Sequence, residues 1–277
     1  MNTPLVSVVI TTFNRYELLS RAIDSVLSQD FPNLEIIVSD DCSDVDVKAL
    51  IDEKKLITTI PIIYRRNEIN SGACYTRNEG IKIASGFFIA GLDDDDEFTP
   101  DRISHLINNY NSDYAFITSN TKVITKKKSH PLFSLKFDKI ISYENILWEN
   151  LIGTQVLVEK SRLIECGGFD LNLKSAQDAD MWVRLIKRYG PALRLKGMKY
   201  ILHTEHEENR ISVSSNKLSG LRCFYQKHSV DMSYSQDKYA RFKFKIWSKN
   251  KSLNFKDFMM LDFNCLIFIF KKKFRLL

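Results

Sequence analysis

The 277-residue chain has no Cys-x-x-Cys pair; its five cysteines, Cys42, Cys74, Cys166, Cys223 and Cys265, are scattered along its length. That spacing argues against a zinc cluster and a disulfide framework and fits a reducing compartment. Long apolar runs are absent too. Val6 to Ile10 is far too short for a signal-peptide core, and no basic region precedes it in Met1-Asn2-Thr3-Pro4, so a cytoplasmic protein is expected. The run from Phe258 to Phe270 is broken by Asp262 and Asn264 and is short for a span. No G-x-G-x-x-G follows the first strand-like segment, and no G-x-x-x-x-G-K-S/T occurs anywhere. These absences argue against a dinucleotide oxidoreductase and a P-loop NTPase, so a bound diphosphate would need a metal to hold it. There is no internal repeat and no low-complexity segment. A net charge of +6, with 27% charged and 44% hydrophobic residues, is ordinary for a globular protein with a real core.

The first hundred residues carry a clear rhythm. Val6–Thr12, Leu34–Ser39, Pro61–Arg65 and Phe87–Leu92 are short apolar, β-branched runs. Between them lie a helix with Leu19, Ala22, Ile23, Val26 and Leu27 at helical spacing, for which Asn14 is a candidate cap, a short polar helix to about Glu53, and a helix from Ala73 to Ser85. Alternating strands and helices joined by short loops predict an α/β fold, a mostly parallel sheet covered on both faces. Ligands of such sheets bind beyond the carboxyl ends of the strands. Three strand ends carry polar clusters: Thr11-Thr12-Phe13-Asn14-Arg15, Asp40-Asp41, and the run Asp93-Asp94-Asp95-Asp96-Glu97. The last reads either as a solvated acidic turn or as a cation site. If its backbone is extended, Asp93 and Asp95 point the same way and converge on Mg²⁺ or Mn²⁺, with a diphosphate completing the shell. Thr99-Pro100-Asp101 reads as the start of the next helix.

The second half is less regular. Tyr114–Asn120 and Lys122–Thr125 read as strands before a solvated basic tip, Lys126-Lys127-Lys128. Tyr143–Asn150 reads as a helix, Gly153–Glu159 as a strand, and Asp180–Tyr189 as a helix stopped by Gly190-Pro191. Asp178 and Asp180 stand at that helix's start, where capping is the simplest role. His203 and His206 begin a polar stretch read as a loop. The tail, Lys238–Lys251 and then Phe258–Arg275, is basic with interleaved aromatics. It suits either a helix docked on the domain or one lying on an anionic membrane. No nucleic-acid-binding fold is visible.

Several of these segments resemble the family 2 inverting glycosyltransferases with the GT-A fold: Val6-Ser-Val-Val-Ile-Thr-Thr-Phe-Asn-Arg15, Ser28 to Ser43, Arg77-Asn-Glu-Gly80, Leu92 to Arg102, and Ser175 to Leu185. The resemblance covers roughly residues 5 to 215. It implies a Rossmann-like nucleotide-sugar half (1–110) and a mixed acceptor half (111–215); the helical tail (216–277) lies beyond it and keeps its two readings, docked on the domain or associated with membrane. It implies that Thr11 and Phe13 frame the nucleotide base and Asp41 bonds it. Arg15, Asp93 and Asp94 would bind the nucleotide sugar, Asp95 would ligate Mn²⁺ or Mg²⁺ with His206 as a second candidate, and Asp178 would be the general base. The family usually has Glu before that base; here it is Gln177. The expected reaction moves a hexose from UDP-glucose or UDP-galactose, with inversion, to a polyprenyl-diphosphate-linked saccharide. It would serve O-antigen or capsule (lipopolysaccharide-type) assembly at the cytoplasmic face of a bacterial inner membrane. A rival, a sugar-nucleotide nucleotidyltransferase, needs a Gly-rich loop with Arg and Lys that Thr11–Arg15 does not supply. A non-catalytic nucleotide-sugar binder is the other alternative; loss of Asp95 or Asp178 would have supported it, and both are present.

Overall fold

The computed structural model describes residues 3–133, 136–205, 216–248 and 258–273. Strands β1 (Val6–Thr12), β2 (Leu34–Asp40), β3 (Ile62–Arg66) and β4 (Phe88–Asp93) alternate with helices α1 (Tyr16–Leu27), α2 (Val47–Lys55) and α3 (Ala73–Ile83). All four strands are parallel, in the order β3-β2-β1-β4. The side chains of β1 and β2, in the middle of this order, are buried on both faces, which is why they read as unbroken apolar runs; β3, at the edge, is half-buried beyond Ile62. On α1, Leu19, Ala22, Ile23 and Val26 are fully buried against one face of the sheet, whereas Cys74 and Ile81 of α3 belong to the core on the other face.

A two-residue strand β5 (Glu97–Phe98) and helix α4 (Arg102–Asn108) follow. Thr99 does not cap that helix. Its Oγ1 donates to Asp101, and Asp101 takes the capping position without a side-chain bond, so the helix starts later than the Thr-Pro pattern suggested.

The second half contributes β6 (Ile117–Ile124), β7 (Ser129–Pro131), β8 (Lys139–Ile141), α5 (Tyr143–Trp148), β9 (Leu157–Glu159), α6 (Lys160–Glu165), α7 (Gln177–Tyr189) and β10 (Ala192–His203). The two strands expected between Tyr114 and Thr125 are one, β6. The expected strand from Gly153 shrinks to three residues, and α7 begins at Gln177 rather than Asp180. Strand β9 lies antiparallel to both β4 and β6, and β10 is parallel to β6. The carboxyl ends of β1, β2, β4, β6 and β10 therefore share one edge. Lys126, Lys127 and Lys128 are exposed at the tip between β6 and β7.

The tail forms α8 (Asn216–His228), a 3₁₀ turn at Ser229–Asp231, α9 (Tyr234–Ser248) and α10 (Phe263–Lys273). Tyr239, Phe242, Leu261, Cys265 and Phe268 make a small separate core that closes over Trp148 of α5. The Trp148 and Phe268 rings stack at 4.7 Å, and Glu149 accepts from both Lys243 and Lys272. No described helix is long and apolar enough to cross a membrane.

Candidate active site

At the end of β1 the chain turns through Asn14, at φ 55°, a region asparagine tolerates better than most residues. Asn14 does not cap α1. Its backbone N–H donates to Ser43 Oγ, and its side-chain amide pairs with Asp44, tying the loop after β1 to the loop after β2. Thr11 is partly buried in β1, and Phe13 stands exposed beyond it. Arg15 turns back over the sheet edge, its Nη1 lying 2.8 Å from Asp94 and 3.2 Å from Asp95.

Asp40 is fully buried, where it accepts from the Ser43 backbone N–H, Ser43 Oγ and the Tyr64 hydroxyl. Asp41 accepts from Asn67 Nδ2 and from the backbone N–H groups of Ser71 and Gly72, all within 2.8 Å. The Asp41 carboxylate thus builds the wall of the cleft by fixing the loop into α3.

The acidic run divides sharply. Strand β4 stops at Asp93, and a tight turn follows in which Asp96 N–H donates to Asp93 O at 3.0 Å. The alternation expected of extended backbone therefore fails. Asp94 and Asp95 converge on Arg15, while Asp93 turns away to accept from Arg77 Nη2 at 3.0 Å and Gln155 Nε2 at 2.7 Å. Asp96 accepts from the Tyr200 hydroxyl and the His203 backbone N–H. Glu97 sits 2.7 Å from His203 Nε2 and 3.3 Å from Arg21 Nε, and Arg21 Nη2 also donates to Asp95 O. The last two acids thus bind the turn to β10. Burial raises the carboxyls of Asp93, Asp94 and Asp96 above the usual carboxylate range; Asp94 reaches about 6 because Arg15 only partly offsets burial.

Across the cleft, Ala176 takes a left-handed conformation at φ 60° and starts α7 so that Asp178 faces Arg77. Asp178 Oδ1 lies 3.5 Å from Arg77 Nη1, and neither atom has a hydrogen-bond partner. Burial pushes the Asp178 carboxyl up to about 7; Arg77 opposes the shift and Asp93 adds to it. Two residues on, Asp180 plays a different part. It is buried among His228, Lys227 and Arg184, each within 2.9 Å. Burial would raise its carboxyl, but His228, Arg184 and Lys227 hold it at about 2. This network clamps α8 onto the start of α7.

Three residues at the site had no assigned role: Arg77, Gln155 and Arg21. Arg77 is nearly buried, lies over the Phe169 ring at 4.8 Å, and joins Asp93 to Asp178. Its trace in the sequence is a cation on the apolar face made by Cys74 and Ile81. Gln155 leaves its trace in Gly91, a glycine inside a strand: a Cβ there would sit 1.9 Å from Gln155 Oε1. Arg21 left no trace.

The turn gathers two hard-oxygen ligands on one positive group, the chemistry that Mg²⁺ or Mn²⁺ prefers. Among the described residues no three His, Cys, Asp or Glu side chains form a complete cage. A pair of carboxylates such as Asp94 and Asp95 would suit an ion that takes the rest of its shell from a diphosphate. His206 lies outside the described residues; the strand leading to it ends at His203, beside Glu97.

The chain is a member of glycosyl transferase family 2, whose model matches residues 7–165. It is 37% identical over 249 residues to the putative colanic acid biosynthesis glycosyl transferase WcaA of Escherichia coli (strain K12), with 87% of each chain covered. It is 34% identical over 187 residues to the GalNAc(5)-diNAcBac-PP-undecaprenol beta-1,3-glucosyltransferase of Campylobacter jejuni, covering 66% of this chain and 60% of that one. The mannosyltransferase PcManGT of Pyrobaculum calidifontis, solved with GDP-Man and Mn²⁺, shares the fold at a TM-score of 0.63 and 13% identity, over 99% of this chain and 86% of that one. The α/β architecture is thus that of the GT-A glycosyltransferases.

Proposed function

We propose that the protein is an inverting, metal-dependent hexosyltransferase that moves glucose or galactose from its UDP-activated form to a lipid-diphosphate-linked saccharide during assembly of a cell-surface polysaccharide, at a membrane surface. Residues 1–110 form the donor half and 111–215 the acceptor half. The observation that carries the reading is the pair Asp178–Arg77, with Arg77 also on Asp93. One guanidinium joins the wall that takes the donor to the residue suited to take a proton. The names of the WcaA and undecaprenol-linked relatives support the polysaccharide and lipid-linked acceptor, and the second supports glucose.

In this mechanism Thr11 and Phe13 flank the base, with Asp41 fixing the wall beside them and contacting the base. Arg15, Asp93 and Asp94 orient the diphosphate and sugar. Asp95, with His206 as a further candidate, would hold Mn²⁺ or Mg²⁺, which when bound takes up charge developing on the leaving group. Asp178 accepts the acceptor hydroxyl's proton as that oxygen forms its bond to the anomeric carbon. The bond from that carbon to the diphosphate oxygen breaks on the opposite face, its electron pair leaving with the nucleoside diphosphate. An α-linked donor therefore gives a β-linked product. A single base suffices because the leaving group needs no proton.

Asp178→Asn should lower transfer at least a hundredfold, the usual range for removing a general base, while nucleotide-sugar binding by calorimetry stays within about twofold. Transfer at the normal rate would overturn the base assignment. A panel of radiolabelled UDP-sugars on synthetic lipid-diphosphate acceptors, with and without Mn²⁺, tests donor, acceptor and metal together.

A further inference from the structure

The last helix uses only half of its surface to hold itself in place. Cys265 and Phe268 of α10 point into the small tail core. Phe263, Leu266 and Phe270, at i, i+3 and i+7, form an outer stripe and are 75%, 49% and 57% exposed; Met259, just before the helix, is 70% exposed. The stripe ends in Lys271-Lys272-Lys273, all exposed, of which Lys272 also reaches Glu149. The nearby acid is engaged within the tail: Asp262 accepts from the Cys265 backbone N–H at 3.0 Å and from Ser235 Oγ at 2.8 Å.

We infer that this outer face of α10 is a docking surface for an anionic lipid bilayer, lying flat with Phe263, Leu266 and Phe270 in the headgroup boundary and Lys271 and Lys273 among the phosphates. Three observations select that partner. The helix has 11 residues, too few to span, and its inner face is committed to the domain, so it can only lie on a surface. Apolar residues and lysines side by side give the two signals that stable interfacial binding needs. A second copy of the chain would bring lysines against lysines, whereas anionic headgroups satisfy them. The purpose of the surface rests on the lipid-linked acceptor proposed above; its existence does not.

The test uses the full chain and vesicles of phosphatidylcholine with or without phosphatidylglycerol, in the absence of donor and acceptor. The protein should sediment with the phosphatidylglycerol vesicles. Phe263→Ser/Leu266→Ser/Phe270→Ser should abolish this, and Lys271→Gln/Lys273→Gln should weaken it about fivefold per lysine. A circular-dichroism spectrum and a cooperative melt like the parent's show that each variant keeps the fold. Unchanged sedimentation of the triple-serine variant would overturn the inference. So would equal binding to pure phosphatidylcholine, or a dimer that the triple-serine change dissociates without any vesicle binding. Transfer to a short-chain, water-soluble acceptor should be the same in all these variants. Intact vesicle binding without any transfer would instead count against the proposed reaction.

Discussion

Arg77 is the residue on which the candidate chemistry turns. It stands between two half-buried carboxylates, each of which would drive the other's pKa upward if the guanidinium were absent. With Asp178 at about 7, the ionised, proton-accepting form grows in as pH rises through neutrality, and kcat/KM for transfer should rise with it. The stability sign is opposite. The folded-state pKa lies above the ordinary 3.8, so this group's contribution is fully present below pH 4 and is lost as pH rises through about 7. Arg77→Lys keeps a charge but not the fork that reaches both partners. It should move the rising limb of the pH profile to higher pH, and Arg77→Ala should also destabilise the fold by about 3–5 kcal/mol in urea. A profile that stays in place would separate Arg77 from the base. The acidic run from Asp93 was legible as chemistry-bearing because its spacing is local, whereas Asp178 read on its own as a helix cap and became a candidate base only through the family resemblance. Their partner was not, because an arginine in mid-helix does not announce which strand end and which helix start it will bridge.

At the scale of elements, the acidic turn is a joint as well as a ligand site. Asp96 holds β10 through the Tyr200 hydroxyl and the His203 backbone N–H, and its carboxyl is driven well up by burial and by Asp93 and Asp95. Asp96→Asn keeps one acceptor oxygen, enough for either the His203 N–H or the Tyr200 hydroxyl but not both, and should cost about half as much as the alanine change. Asp96→Ala strands two buried donors, at about 1–3 kcal/mol each, and should lower the urea midpoint accordingly; equal midpoints for the two variants would refute the joint. The strands and helices from β1 to β4 were readable because parallel strands buried on both faces write themselves as apolar runs separated by amphipathic helices. The second half was less so. Strands β8 and β9 have three residues each and exist through pairing with distant strands, which no local pattern encodes; β7, equally short, is the returning arm of a hairpin with β6. The start of α4 was misplaced for a related reason: Thr99 found Asp101 and the Lys199 carbonyl as partners instead of a helix turn.

Across the whole molecule, the tail is docked on the domain by the inner face of α10, as one of the two expectations had it, and the outer face of that helix, apolar and basic, is the one the membrane proposal concerns. Docking of α9 and α10 on the domain uses the Trp148–Phe268 stack, Tyr239 against both rings, Gln236 Nε2 on the Glu144 carbonyl and Glu149 between Lys243 and Lys272, whereas α8 is held separately by the Asp180 clamp. A core of this size, joined to the domain largely through α5, can open without unfolding the ten-stranded sheet. Removing residues 255–277 outright would therefore be a poor probe of membrane binding, since it also uncovers Trp148 and Tyr239. Phe268→Ala is cleaner. Losing a buried phenyl ring costs about 3–5 kcal/mol, enough to release α9 and α10 as a unit. Hydrogen exchange should then accelerate throughout both helices while β1, β2 and β4 keep their protection, and transfer to a soluble acceptor should persist because Asp178 is held by Arg77 and by the Asp180–His228 clamp, not by the tail core. If protection falls in the sheet as well, the tail is part of the catalytic domain's own stability, and the division near residue 215 is wrong.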